Sequence, residues 1–200
     1  MIAEIPKPDR VMPLGCGRSP HCVSVAKLYA NPTRRRTRKE NMLNDYHFIT
    51  RWRVRGTVKE VIDILSDAED LPRWWPSVYI EVKKRGDIVE LYTKGWLPYT
   101  LRWSFRVLEN RPDGFTIEAF GDFVGRGEWT LTQDGDDVAI TYDWQIRAEK
   151  PLLKLFSLIL KPIFAANHRW AMSRGEESLL IELARRHGEP HGKPPKATFR

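Results

Sequence analysis

His168 and Tyr142 are the two residues whose types and settings could carry chemistry in this chain. His168 falls on the apolar stripe of a helical pattern. Burial there disfavours imidazolium and leaves a neutral ring that can act as a general base or orient a carbonyl. Tyr142 falls on the inward face of a strand pattern, within reach of the same space. The alternative reading is a core histidine hydrogen-bonded to backbone or to Asn167, beside a buried phenol that needs only one partner. Residues 42–187 hold no glycine-rich phosphate loop, no His-Glu-x-x-His metal site and no Gly-x-Ser-x-Gly nucleophile elbow. No cofactor or metal is therefore expected, and any chemistry would be acid/base work on an enclosed ligand, such as cyclisation or dehydration.

The elements that must position these residues can be read from periodicity. Phe48, Thr50, Trp52 and Val54 alternate with His47, Ile49, Arg51, Arg53 and Arg55, which predicts a half-buried strand from Tyr46 to Arg55. The three arginines form a solvated outer stripe, paired with acids such as Glu81. Thr57 and Glu60 make a capping-box signal for a helix through about Ser66. Asp70 to Pro76, with Trp74 and Trp75 adjacent, reads as a short helix or turn closed by proline.

Six further strands follow with short links. Their inward faces are Val78, Ile80 and Val82; Val89, Leu91 and Thr93; Tyr99, Leu101, Trp103, Phe105 and Val107; Phe115, Ile117 and Ala119; Phe123, Gly125, Gly127, Trp129 and Leu131; and Val138, Ile140, Tyr142, Trp144 and Ile146. A two-residue Asp134-Gly135 turn is expected, because it sets Gly127 opposite Tyr142, Gly125 opposite Trp144 and Arg126 opposite Asp143, whereas a four-residue turn would set Glu128 against Asp143.

After Lys150 the period becomes helical. Residues 151–161 read as one apolar helix, and Pro162 starts or kinks a longer one. In the longer one Phe164, His168, Ala171, Met172, Gly175, Leu179, Leu180 and Leu183 face inward, while Arg169, Ser173, Glu177, Glu182 and Arg185 face water. His187-Gly188 marks its end.

A seven-stranded antiparallel sheet with one apolar face must curl and bury it, and the C-terminal helix is the large apolar surface left to bury it against. The expected fold is therefore α+β: a curved sheet gripping a long helix, with two short helices between the first two strands. This order resembles the START-like helix-grip superfamily, which includes lipid-transfer domains, birch-pollen-allergen-like proteins and, most similar, bacterial polyketide cyclase/dehydrase-like proteins. The resemblance covers residues 42–187 and rests on Asp70-Leu71-Pro72-Arg73-Trp74-Trp75-Pro76, Gly125-Arg126-Gly127-Glu128-Trp129, and Asn167-His168-Arg169-Trp170-Ala171-Met172 with Gly175-Glu176. It implies an apolar ligand such as a lipid, quinone or polyketide. It transfers no catalytic residue, because only some members of the superfamily catalyse.

Inward-facing aromatic and polar side chains then define the expected ligand site: Thr50, Trp52, Trp75, Thr93, Tyr99, Trp103, Phe105, Trp129, Tyr142, Trp144, Phe164, His168 and Met172. Trp74 and the Trp96-Leu97-Pro98 loop are expected at the cavity entrance. The Leu152 to Leu160 segment, flanked by Lys150, Lys154 and Lys161, could rest transiently on an anionic lipid surface or pack on the sheet edge.

The net charge of +7 over 200 residues is not a property of this patterned region. Residues 1–41 carry nine Lys/Arg against three Asp/Glu, whereas residues 42–187 carry 21 against 22. Nucleic-acid binding is not expected, since only the Arg34 to Lys39 run could neutralise phosphates. Proline-rich residues 1–41 read as a disordered basic leader, either an overextended start before Met42 or an Arg-rich presequence. Residues 42–188 form the expected domain and residues 189–200 a loose tail. Cys16 and Cys22, with His21 between them, lie in the leader and fall short of a zinc set. A core without cysteine needs no disulfide and fits a reducing, cytoplasmic compartment.

Overall fold

The computed structural model describes residues 44–149 and 151–198. The expected leader, with Cys16, His21, Cys22 and the Arg34 to Lys39 run, lies outside the described residues, as does Lys150. The elements run in the order β1 (Asp45–Arg55), α1 (Val58–Leu65), a short 3-10 turn (Ala68–Asp70), α2 (Leu71–Trp74), β2 (Tyr79–Arg85), β3 (Ile88–Lys94), β4 (Thr100–Arg111), β5 (Gly114–Gly121), β6 (Phe123–Asp134), β7 (Asp137–Ala148) and α3 (Pro151–Arg186). The sheet order is β1-β7-β6-β5-β4-β3-β2, with every pair antiparallel. This is the helix-grip architecture.

Local chemistry explains the element ends. The Thr57 side chain accepts from the Glu60 backbone N–H, and the Glu60 carboxylate accepts in return from Thr57 N at 2.9 Å, which completes the capping box of α1. At the end of α3 Gly188 takes φ +72°, its N–H donates to Arg185 O, and Glu189 N donates to Ala184 O. That pair of bonds satisfies the last carbonyls as a left-handed glycine cap does.

Several side chains stand elsewhere than periodicity predicts. A bulge between Tyr79 and Glu81 puts both residues against the Tyr92-Thr93 stretch, so Tyr79 turns inward with Val82 while Ile80 is left exposed. Val107 sits opposite Ile117 but stays exposed, because the Val107/Glu109 bulge bends the end of β4 away from the core. The β6–β7 loop is Gly135-Asp136 and not the expected Asp134-Gly135, with φ +63° at Gly135, so Gly127 faces Trp144 and not Tyr142, Gly125 faces Ile146 and not Trp144, and Asp143 meets Glu128 and not Arg126. That positive φ at the first loop residue is what a II′ hairpin turn requires. The two like charges are separated by their partners: Glu128 takes Arg111 at 3.1 Å and Asp143 takes His47 at 3.0 Å.

The outer arginine stripe pairs with the β6–β7 hairpin rather than with Glu81. Arg53 reaches Asp134 at 2.6 Å and Asp137 at 2.9 Å, while Glu81, at the far edge of the sheet, pairs with Lys83. Residues 151–161 and the segment after Pro162 are one helix, not two; the chain absorbs the proline inside α3. Leu180 is exposed, and Glu182 is only 2% exposed. The reason for the latter is tertiary: Arg73 of α2 donates both terminal nitrogens to Glu182 at 2.8 Å, and Arg185 and Arg186 add three more bonds. Burial raises the Glu182 pKa, but hydrogen bonds from Arg185, Arg73 and Arg186 outweigh it and hold the carboxyl well below its usual range.

The space between sheet and α3 is filled at one end only. Val54, Phe105, Phe115, Ile117, Leu131, Ile140, Leu179 and Leu183 make a solid core at the end near α1 and the β6–β7 hairpin. Among the described residues no helix is long and apolar enough to cross a membrane.

Candidate ligand cavity

At the other end of the same space lies a cavity of about 160 Å³. The ends of β3 and β7, the starts of β1, β2, β4 and β6, the loop after Trp74 and the middle of α3 all contribute to its wall. Nine of the residues expected from alternation line it: Trp75, Thr93, Tyr99, Trp103, Tyr142, Trp144, Phe164, His168 and Met172.

Four expected residues do not. Trp52 and Trp129 lie outside the cavity wall, with ring centroids 5.4 Å apart, and Trp129 stacks behind the lining residue Tyr142 at 4.0 Å. Phe105 lies one inward position deeper than Trp103 along β4, with centroids 6.0 Å apart. Thr50 stands behind His168, with Oγ1 3.5 Å from Nε2. Trp74, expected at the entrance, is 1% exposed and packs on Trp75 at 5.5 Å, inside the core. Trp96 and Leu97 are half-buried and do not line the cavity. Their backbone N–H groups donate to Asn167 Oδ1 at 3.0 and 3.4 Å, which ties the β3–β4 loop to α3. Gly95 makes this approach possible, since a Cβ there would overlap the Asn167 side chain.

Lining residues that the sequence reading did not assign include Tyr46, Phe48, Tyr79, Lys94, Phe123 and Asn167. Phe48 and Phe123 shared an inward face with assigned residues, so the signal was present. Tyr79 was hidden by the β2 bulge.

The polar groups are few and mostly committed. Trp103 Nε1 donates to Thr93 Oγ1 at 3.1 Å. Burial, with the neighbouring Arg169 charge, lowers the His168 pKa to about 4, so the ring is neutral at pH 7. Burial raises Tyr142 well above its ordinary value and, together with Tyr46, pushes Tyr99 up to about 12. Trp75 Nε1, in a residue of the cavity wall, has no hydrogen-bond partner. Among the described residues no cluster of three or more His, Cys, Asp or Glu could hold a metal ion.

A curved sheet around one helix, solid at one end and hollow at the other, defines a helix-grip protein with an apolar cavity between sheet and helix. The chain belongs to the family described as polyketide cyclase / dehydrase and lipid transport, whose model matches residues 54–172. Among solved structures it resembles the Zhui aromatase/cyclase from Streptomyces sp. R1128 (TM-score 0.55, 16% identity, covering 72% of this chain and 96% of that one). It also resembles norcoclaurine synthase from Thalictrum flavum (TM-score 0.51, 14% identity, 72% and 90%). The di-domain aromatase/cyclase StfQ of the steffimycin biosynthetic pathway matches over 76% of this chain (TM-score 0.53, 14% identity), which spans 54% of StfQ. No curated protein matches the chain in sequence. Family membership supports two activities, hydrophobic-ligand binding or cyclisation.

Proposed function

We propose that the chain binds an apolar, ring-containing small molecule of lipid, quinone or polyketide type inside this cavity. The observation that carries this reading is the wall itself: stacked and edge-on rings with few polar groups, lining unfilled space between the sheet and α3. A volume of about 160 Å³ is close to the roughly 150 Å³ of an apolar cavity that takes one benzene ring. The site therefore suits one or two rings, or a short chain, without rearrangement.

The second reading is a cyclase or dehydratase in which His168 and Tyr142 move protons, and the likeness to the Zhui aromatase/cyclase favours it. Acid/base catalysis works best when the group titrates near the working pH. His168 at about 4 and Tyr142 far above neutrality are a weak base and a weak acid at pH 7, which favours binding over turnover.

Native mass spectrometry of the full chain, with solvent extraction and identification of what it carries, tests both. A stoichiometric apolar adduct that is released unchanged supports binding, and one that is converted on incubation supports the enzyme. An empty protein that also fails to bind 1-anilinonaphthalene-8-sulfonate overturns both. Ala171→Phe, which fills the cavity from α3, should abolish uptake of the adduct or probe.

A further inference from the structure

We propose that Tyr79 and Tyr142 are a pair of hydrogen-bond donors that select, among apolar ring compounds, a neutral ligand bearing a ring carbonyl. This role rests on the cavity being the ligand site proposed above. Tyr142 stands on β7 and Tyr79 on β2, five strand steps apart in the sheet order. On a flat sheet that separation would be about 24 Å, at about 4.8 Å per step. The curl of the sheet cancels it, so the two phenols enter one cavity from opposite walls.

Each phenol is aimed by its neighbours. Tyr142 pairs across the ladder with Trp129, yet its hydroxyl lies over Gly127, two residues nearer the hollow end: a Cβ at Gly127 would come within 2.7 Å of the phenol oxygen. Trp129 at 4.0 Å and Trp144 at 5.4 Å hold the ring in that position. Tyr79 is turned inward by the β2 bulge and braced edge-on against Trp75 at 5.2 Å, and its N–H donates to Trp75 O at 3.2 Å. Neither hydroxyl has a hydrogen-bond partner among the described residues, and neither oxygen is sealed away as Trp75 Nε1 is. Tyr142 is 7% exposed, so what its hydroxyl can reach is the cavity. Burial raises both pKa values, and the fields of Tyr79 and Asp143 add to the rise at Tyr142, so both groups stay protonated and able to donate.

Other polar groups of the wall are engaged or stand apart. Thr93 Oγ1 accepts from Trp103 Nε1, Asn167 Oδ1 accepts from the β3–β4 loop, and His168 Nε2 lies 3.5 Å from Thr50 Oγ1. Tyr99 lies with Phe164 and Tyr46 in another part of the wall. A buried hydroxyl without a partner costs free energy, which an acceptor on the ligand recovers. A ring carbonyl offers that acceptor without charge. A carboxylate would bring its charge among ring faces that are themselves negative. His168 is neutral there, and the charged lining residue Lys94 belongs to the outward row of β3, next to inward-facing Thr93.

Calorimetric titration of the full chain with 1-tetralone and with tetralin, the same bicycle without the oxygen, tests this. 1-Tetralone should bind about tenfold more tightly, and in Tyr79→Phe/Tyr142→Phe the two should bind equally. Tetralin binding should persist in that variant, which controls for folding. The infrared carbonyl stretch of bound 1-tetralone should rise in the variant, as loss of a hydrogen bond requires. Equal affinity for the two probes in the parent chain would overturn this inference and leave the cavity standing as a purely apolar site. A preference that survives in the double variant would assign the carbonyl to another donor, and decanoate binding more tightly than 1-tetralone would make the ligand an acid; each also overturns it. Binding of none of the three would overturn the ligand site itself.

Discussion

The His168 imidazole lies face to face with the Phe48 ring, centroids 4.2 Å apart and planes 16° from parallel. A stacked, half-buried imidazole is comfortable only while neutral, and that gives the fold a titration. The folded-state pKa of about 4 is below the ordinary 6.5, so the stability linked to His168 is fully present above pH 6.5 and is lost as pH falls towards 4. The loss between pH 7 and pH 4 should be about 3 kcal/mol. Urea melts across this range should show His168→Phe losing less stability than the parent; parallel pH profiles would mean that His168 is better solvated than its position implies. Glu60, at about 2 through its bonds from His187 and Thr57, also has a depressed pKa, but its contribution is lost mostly below pH 4.5.

Gly175 sits under the Trp75 indole so closely that a Cβ would overlap the six-membered ring. In an exposed helix, glycine to alanine gains about 1 kcal/mol. Here the overlap should cost about 1–3 kcal/mol more than that gain returns. Gly175→Ala should lower the melting temperature, and Trp75→Leu in the same chain should recover part of the loss; a stabilised Gly175→Ala would show that the indole can move aside.

Glu182 and Arg73 are not equivalent partners. Arg73 is 45% exposed on its side chain and Glu182 2%, so losing the arginine leaves a buried carboxylate that still has Arg185 and Arg186. Losing the glutamate removes five hydrogen bonds and the tie between α2 and α3. Glu182→Ala should cost about 2–3 kcal/mol and Arg73→Ala about 1 kcal/mol in chemical denaturation. The opposite ranking would disprove this division of roles.

Asn167 holds the β3–β4 loop through one side-chain oxygen shared by two backbone N–H groups. Asn167→Ala should leave global stability within about 2 kcal/mol while amide exchange at Trp96 and Leu97 accelerates at least tenfold. Asn167→Asp keeps an acceptor and should preserve most of the protection. Unchanged exchange in the alanine variant would mean that the loop is held by its apolar contacts.

The legible parts of this structure were those set by local rules. The Thr57–Glu60 capping box, the Gly188 cap and the inward faces of β1, β5, β6 and β7 follow from residue type and spacing alone. Alternation assigns a face but not a depth, so Trp52, Phe105 and Trp129 were placed on the correct side of the sheet, yet they fill the solid end instead of lining the hollow one. The buried Glu182 owes its position to Arg73, 109 residues away, and no window along the chain contains that pairing. The β2 bulge breaks the very alternation by which Tyr79 would have been recognised.

The antiparallel pairing of β1 with β7 has a consequence for the birth of the molecule. Residues Asp45 to Arg55 leave the ribosome 82 to 102 residues ahead of their partners in Asp137 to Arg147. At about 5–20 residues per second that delay is about 4–20 s. During it the first strand offers an unsatisfied ladder edge, and α3, which lies along it, is synthesised later still. Nascent-chain aggregation should therefore be governed by translation speed through β2 to β6, and slow stretches there would lengthen the exposure of β1.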